Sequence, residues 1–366
     1  MKKSVITLAL VLVVALLTGC AGTPVVYYSD CTCPTGAHTE ATPVETTTPV
    51  ETTAPAEGPV VEGAVKTGVA IVASAGESKS AGDADGEAKY DASVVAVTVD
   101  DNGVIQSCII DSIGTSVLFD VNGAIMSDLT AEIPTKNELG DAYNMKTYGG
   151  AVAEWYEQAA ALASYAVGKT VEELRAGAVD ETGHAVDADL ATTATIYLGG
   201  YVAAVEKAVA NAQHLGAQAG DELKLAIISS VDGSTPADAE NAGLAQLYTN
   251  VAAVTVNGDV ITSCYIDAIQ AKVNFDATGT ITTDLTAPML TKNELGDAYN
   301  MKTYGGAIAE WYEQAASFAS YITGKTPAEV AGIAVDETTK PTDADLLTSV
   351  TIKIGEFQNL IAKACG

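Results

Sequence analysis

Residues 136–151 read KNELGDAYNMKTYGGA, and residues 292–307 read KNELGDAYNMKTYGGA again. The offset is 292 − 136 = 156 residues, and it persists downstream. Trp155 matches Trp311, Gly168-Lys169 matches Gly324-Lys325, Asp189 matches Asp345 and Thr195 matches Thr351. A period this long is domain-sized, so the chain holds two tandem copies of one unit, not a solenoid of short repeats. At 366 residues there is room for two domains of roughly 150 residues each, plus additional chain.

The additional chain is N-terminal. Lys2 and Lys3 precede an apolar run over residues 5–17, too short for the ~20 residues of a membrane span. Leu17-Thr18-Gly19-Cys20 follows, which reads as a bacterial lipoprotein signal with Cys20 as the lipid-carrying new N-terminus. An ordinary secretory signal that contains a cysteine is the plainer alternative. Residues 34–63 are rich in Thr, Pro, Glu and Ala without apolar periodicity, the composition of an extended, solvated spacer. The expected order is therefore signal 1–20, spacer 21–64, first domain 65–215 and second domain 219–366. The lipid anchor would place the mature chain on the outer face of a cell membrane.

Net charge narrows the partners. The chain carries 47 acidic and 18 basic side chains, a formal charge of −29. Nucleic acid needs clustered Lys and Arg, and arginine occurs once, at Arg175. Cysteines are too few for a disulfide scaffold. Cys31 and Cys33 form a CTC in the spacer, while the matched Cys108 and Cys264 lie in apolar runs and read as small buried hydrophobes.

Within each copy the hydrophobic period changes from two to 3.6. Strands are expected over residues 69–73, 94–99 and 104–111, with Asp101-Asn102-Gly103 as a hairpin turn. A second hairpin is expected over 117–127 around Asn122-Gly123. The second copy repeats these at 251–256, 260–267, 273–276 and 280–283. Helices follow over 150–167, 170–176 and 195–213, the middle one opened by the Thr170/Glu173 pair of a capping box. Strands first and helices later give an α+β class: an antiparallel sheet with helices packed on one side, twice.

Hydrolytic chemistry is disfavoured. His38, His184 and His214 have no histidine counterpart in the other copy, so a Ser-His-Asp or Cys-His arrangement is not expected in both domains. No GxGxxG or GxxxxGK[ST] phosphate loop occurs, and no metal site is assigned. Two polar segments are shared: the KNELGDAYNMKTYGG loop, and DADLATTAT (187–195) with its partner DADLLTSVT (343–351). Hydroxyls at Thr192, Thr193 and Thr195, and at Thr348, Ser349 and Thr351, are expected to crowd the start of the last helix. Free N–H groups there suit a phosphate. Helix capping by Asp187, Asp189, Asp343 and Asp345 is the competing structural explanation.

The order of these pieces resembles the FMN-binding domain family. That family includes the C subunit of sodium-translocating NADH:quinone reductase and bacterial surface flavoprotein lipoproteins. The matching pieces are Glu138-Leu139-Gly140, Trp155 to Gln158, Gly168-Lys169 and Asp189 to Thr195, and again Glu294-Leu295-Gly296, Trp311 to Gln314, Gly324-Lys325 and Asp345 to Thr351. The resemblance implies FMN ester-linked to Thr195 and Thr351 by a separate flavin transferase, with Asp189, Thr192, Asp345 and Thr348 beside it. This chain departs from the family pattern where a glycine is replaced by Thr193 and Ser349, and an alanine by Val350. Three states stay open: covalent FMN, non-covalent FMN and a flavin-free domain. With flavin, the chain is an electron carrier, not an enzyme, and takes electrons from a membrane donor. Without it, the chain is a surface binding or structural lipoprotein. A solute-binding lipoprotein is a third reading, against which the near-identical halves argue.

Overall fold

Each copy opens with a three-stranded antiparallel sheet in sequence order. In the first copy β1 is Lys66–Ser74, β2 Gly86–Val99 and β3 Ile105–Phe119. The structure, a computed structural model, describes residues 63–366; Cys20, Cys31, Cys33 and His38 lie outside the described residues. The Asp101-Asn102-Gly103 turn joins β2 to β3. Gly103 takes φ +78°, and the Asp100 carboxylate accepts the Asn102 amide at 2.9 Å.

The strands run longer than their sequence pattern indicates. β3 continues unbroken through Ser112-Ile113-Gly114-Thr115-Ser116, where two separate strands were expected, and β2 starts eight residues before the expected 94. The expected return strand over 124–127 is reduced to a bridge between Phe119 and Ile125.

The helices follow: α1 Lys136–Leu139, a 3-10 turn Gly140–Tyr143, α2 Met145–Gly149, α3 Trp155–Ala166, α4 Val171–Ala178, α5 Ala188–Thr193 and α6 Gly199–Ala210. α3 starts at Trp155 instead of 150 because Glu154 is its extended N-cap in a capping box with Glu157. Gly168, at φ +80°, follows its end. The Thr170/Glu173 box opens α4 as expected. The second copy repeats the plan with β4 Glu222–Ser230, β5 Gly243–Asn257, β6 Val260–Phe275, α7 Lys292–Leu295, α8 Met301–Gly305, α9 Trp311–Ile322, α10 Pro327–Ala331 and α11 Gly355–Cys365. A 3-10 turn, Leu346–Thr348, stands in place of α5. The class is α+β, with two sheet-bearing copies.

Each sheet is covered on both faces. On one face Val95, Val97, Ile105 and Ile110 meet Trp155, Leu162, Val202 and Val205 of the helices. On the other, Val69, Ile71, Val94 and Ile113 meet Leu223, Ile227, Val251 and Ile269 of the second sheet. The distal halves of the hairpins form a further shared cluster in which Tyr90, Val117 and Phe119 pack on Leu247, Val273 and Phe275. Double-sided burial accounts for the near-continuous apolar run VVAVTV in β2.

Contacts between the copies come in reciprocal pairs, as in a two-fold symmetric dimer. Lys207 pairs with Glu294 at 2.7 Å, and its counterpart Lys363 pairs with Glu138. The Ala81 amide donates to Gly279 O at 2.8 Å, and Ala237 donates to Gly123 O at 2.9 Å. On the pseudo-axis the rings of Phe119 and Phe275 stack with centroids 4.0 Å apart. Gly123 and Gly279 have φ of +72° and +69°, and a Cβ on either would lie within 2.7 Å of an alanine Cβ across the junction. Only glycine fits there.

Candidate functional site

The DAD segments cap short elements. Asp187 Oδ1 accepts the amides of Asp189 and Leu190 at 3.0 and 3.1 Å, and Asp343 does the same for Asp345 and Leu346, both at 3.0 Å. The hydroxyls expected at the start of the last helix belong to that same short turn. Thr192 donates to Asp189 O and Thr348 to Asp345 O, each at 2.7 Å. Thr193 and Ser349 turn to the carbonyls of Leu190 and Leu346 at 3.1 and 3.4 Å. The last helix begins four residues beyond Thr195, at Gly199, and its counterpart at Gly355. The segment from Ala194 leaves in an extended conformation, φ −131° and ψ 107°, so its hydroxyls are not in the helical turn that offers free N–H groups. Asp189 and Asp345 are solvent-exposed.

Thr195 and Thr351 are held by a glutamine three residues after each tryptophan. Gln314 is fully buried, and its Oε1 accepts the amides of Thr351 and Ile352 at 2.8 and 3.2 Å. Its Nε2 donates to Ala309 O at 2.8 Å. Gln158 repeats this with Thr195, Ile196 and Ala153 at 2.8, 3.1 and 2.8 Å. Gln314→Ala therefore leaves two half-buried amides without their acceptor. We expect a loss of about 1–3 kcal/mol in chemical denaturation and faster hydrogen exchange at Thr351 and Ile352.

Thr351 borders a cavity of about 850 Å³ in the second copy. That volume is within the usual range for small-molecule sites, roughly 300–1,000 Å³. Its aromatic lining is Tyr248, Trp311 and Phe357, and its cationic lining is Lys292, Lys340 and Lys353. Three lysines around one opening stand out in a chain of net charge −29. Glu356 also lines it, and Asn250 beside it donates to Glu356 at 2.7 Å. Asn250 Oδ1 is buried without a partner. Thr339, a β-branched residue at φ +64°, also lines the cavity. Such strain is held only by its surroundings and gathers at ligand sites.

Lys292 is the most unusual group of this site. It is 4% exposed. Its ammonium donates to Tyr248 Oη at 2.9 Å and lies 4.5, 5.1 and 4.8 Å from the ring centroids of Tyr248, Tyr299 and Trp311. Burial pushes its pKa down to about 8, against an opposing pull from Glu356 and Asp267. Burial likewise raises the Tyr248 phenol and pushes Asp267 up to about 6. Asp267 anchors the KNEL turn beneath the site by accepting the Asn293 amide at 3.1 Å.

The first copy carries the same KNEL segment in a different setting. Lys136 lies over two rings, Tyr143 and Trp155, at 5.3 and 5.2 Å. Register places Asp91 where Tyr248 stands, since Asp91 pairs with Gly114 and Tyr248 with Gln270. Tyr197, the counterpart of Lys353, lies over Gly183 and Gly199, whose counterparts Thr339 and Gly355 line the cavity. The duplicated sequence thus gives two unequal sites. Thr192 and Thr193 border a shallower hollow of about 400 Å³ with Val152 and Ala161.

Other sequence-marked residues serve the scaffold. Trp155 is 2% exposed and donates from Nε1 to Tyr201 Oη at 3.1 Å. Lys169 and Lys325 lie over Tyr165 and Tyr321, at the ends of α3 and α9. Glu138 and Glu294 form capping boxes and the ion pairs between copies. Burial pushes the Cys108 thiol up to about 12, in keeping with an inert packing role. Glu310 does not stand out in the sequence pattern, yet its buried carboxylate accepts the amides of Met301 and Lys302 at 2.8 and 3.0 Å. Lys292 opens the repeated segment, but nothing in the sequence sets it apart from Lys136. Among the described residues no cluster of three or more His, Cys, Asp or Glu side chains could hold a metal, and no helix is long and apolar enough to cross a membrane. No family model, curated protein or solved structure matches this chain.

Proposed function

We propose that the chain is a lipid-anchored, extracytoplasmic electron carrier that holds one flavin mononucleotide in its second copy. The carrying observation is the cavity beside Thr351, with aromatic walls and three lysines in an otherwise strongly acidic protein. The residues fit the group. Trp311 and Tyr248 offer ring surface to an isoalloxazine, and Lys292, Lys340 and Lys353 offset the charge of a phosphate. The orphaned Asn250 Oδ1 leaves an acceptor beside the lining. Ser349, the residue replacing the family glycine, directs its hydroxyl to Leu346 O. Thr351 is the candidate ester acceptor, Asp345 and Thr348 form the turn before it, and Cys20 is the candidate lipidation site. A bound flavin supplies reversible one- or two-electron transfer; the chain supplies binding and positioning.

The first copy takes a supporting role in this proposal. Tyr197 covers the position equivalent to Lys353, and Thr192 borders only the shallower hollow of about 400 Å³. The same observation favours the second reading, a flavin-free surface binding module, if the second copy follows the first. Co-expression of the chain from residue 34 with a flavin transferase separates the two. We expect a yellow protein whose intact mass shows one ester-linked FMN, lost in Thr351→Ala and retained in Thr195→Ala. A colourless chain of unmodified mass, with no FMN binding by fluorescence titration, rules out the carrier. Two flavins per chain would overturn the assignment to one copy.

A further inference from the structure

We infer that Lys292 is a carbonyl-trapping amine, which condenses with an aldehyde or ketone on a small aromatic, anionic ligand entering the second-copy cavity. This inference does not rest on the flavin reading, although both ligands would compete for one space. Lys292 is buried, yet among the described residues it forms no ion pair. Its polar contact is the hydroxyl of Tyr248, and its other near neighbours are ring faces. It is 4% exposed and faces the cavity together with Tyr248 and Trp311. A desolvated lysine in an apolar pocket is the ordinary means of making an amine nucleophilic near neutral pH.

The chemistry is a condensation. The neutral Lys292 nitrogen attacks the carbonyl carbon, forming a C–N bond. Loss of the carbonyl oxygen as water, with both nitrogen protons leaving, gives the imine. Tyr248 Oη, 2.9 Å from the nitrogen, is placed to relay a proton, giving its own to the departing oxygen as it takes one from the nitrogen. Lys340 and Lys353 on the same lining suit a ligand that also carries carboxylate or phosphate. The depressed pKa supports the geometry. An amine at about 8 offers roughly two-hundredfold more free base at neutral pH than a solvent-exposed lysine.

The chain contains its own control, because Lys136 opens the identical 16-residue segment without a tyrosine opposite. The probe is pyridoxal 5′-phosphate, an aromatic aldehyde with a phosphate, added to the mature chain and trapped with borohydride. Peptide mapping then reads each lysine separately, since the residues upstream of Lys136 and Lys292 differ. We expect label at Lys292 at least about tenfold faster than at Lys136, rising with pH up to about 8. Tyr248→Phe should slow trapping while leaving the fold intact by circular dichroism, and Lys292→Arg should abolish it. Equal labelling of Lys136 and Lys292, or label confined to Lys340 or Lys353, overturns the inference. Mapping uses the unmutated chain, so the comparison of Lys136 with Lys292 holds even if a variant fails to fold.

Discussion

Phe119→Ala or Phe275→Ala lowers the stability of both copies together, by about 3–5 kcal/mol in urea titration. Both rings are fully buried, and they stack on the pseudo-axis. Each truncation leaves a cavity flanked by Tyr90, Leu247 and Val273, which belong to two different sheets and cannot collapse independently. The shared clusters predict one cooperative transition for the whole folded unit. The double variant should cost less than the sum of the singles by about 0.5–1.5 kcal/mol, the coupling of an aromatic pair. Two separate transitions, or single costs below about 1 kcal/mol, would show that the copies fold as independent domains.

Lys292→Met has the opposite sign. Removing a buried ammonium whose one hydrogen-bond partner among the described residues is a phenol should stabilise the folded unit at pH 7 by up to about 3 kcal/mol, less what is lost with its three ring contacts. The folded-state pKa is about 8 against an ordinary 10.5, so between these values the unfolded chain binds more protons than the folded one. Stability of the unmutated chain therefore rises with pH through that window, by about 3 kcal/mol in total from this residue. The advantage of Lys292→Met should be full below pH 8 and should disappear by about pH 10.5. Comparing the two proteins at each pH cancels the tyrosines that do not touch Lys292. A difference independent of pH would mean that Lys292 is solvated in the folded state. A lysine kept at a cost in stability is the pattern expected of a ligand-facing group.

Much of the scaffold was legible because it rests on local rules. The Asn-Gly turns, the Thr170/Glu173 capping box and the 3.6-residue period of α3 depend on residues a few positions apart. The Asp187 and Asp343 caps were legible for the same reason. Strand length was less so. Residues 86–93 carry polar side chains on alternate positions, Glu87, Lys89, Asp91 and Ser93, and residues 112–116 are mostly small or polar; Ala88 and Tyr90 find their cover in a cluster shared with the other copy's sheet. Without that partner their pattern reads as loop and turn. The start of the last helix was misplaced because Thr192, Thr193 and Thr195 have the composition of an N-cap. In the fold two of them close the preceding turn, and the third is tied down through Gln158.

The site divides along the same line. Glu138, Trp311, Gln314 and Thr351 were visible as repeated residues, yet repetition could not rank one copy above the other. Lys136 and Lys292 have identical neighbours along the chain for 15 residues. What distinguishes them is Tyr248, which lies 44 residues before Lys292 and reaches it through the register of β5 on β6.

The amino-acid sequence alone determined the duplication, the order of strands and helices, the caps and turns, and the acidic surface. Each of these follows from short-range sterics, hydrogen bonding or charge. The tertiary structure decided that two sheets bury each other, and that one lysine of an identical pair loses its water among three aromatic rings. Desolvation is set by everything that crowds a group from distant parts of the chain, and no local spacing encodes it.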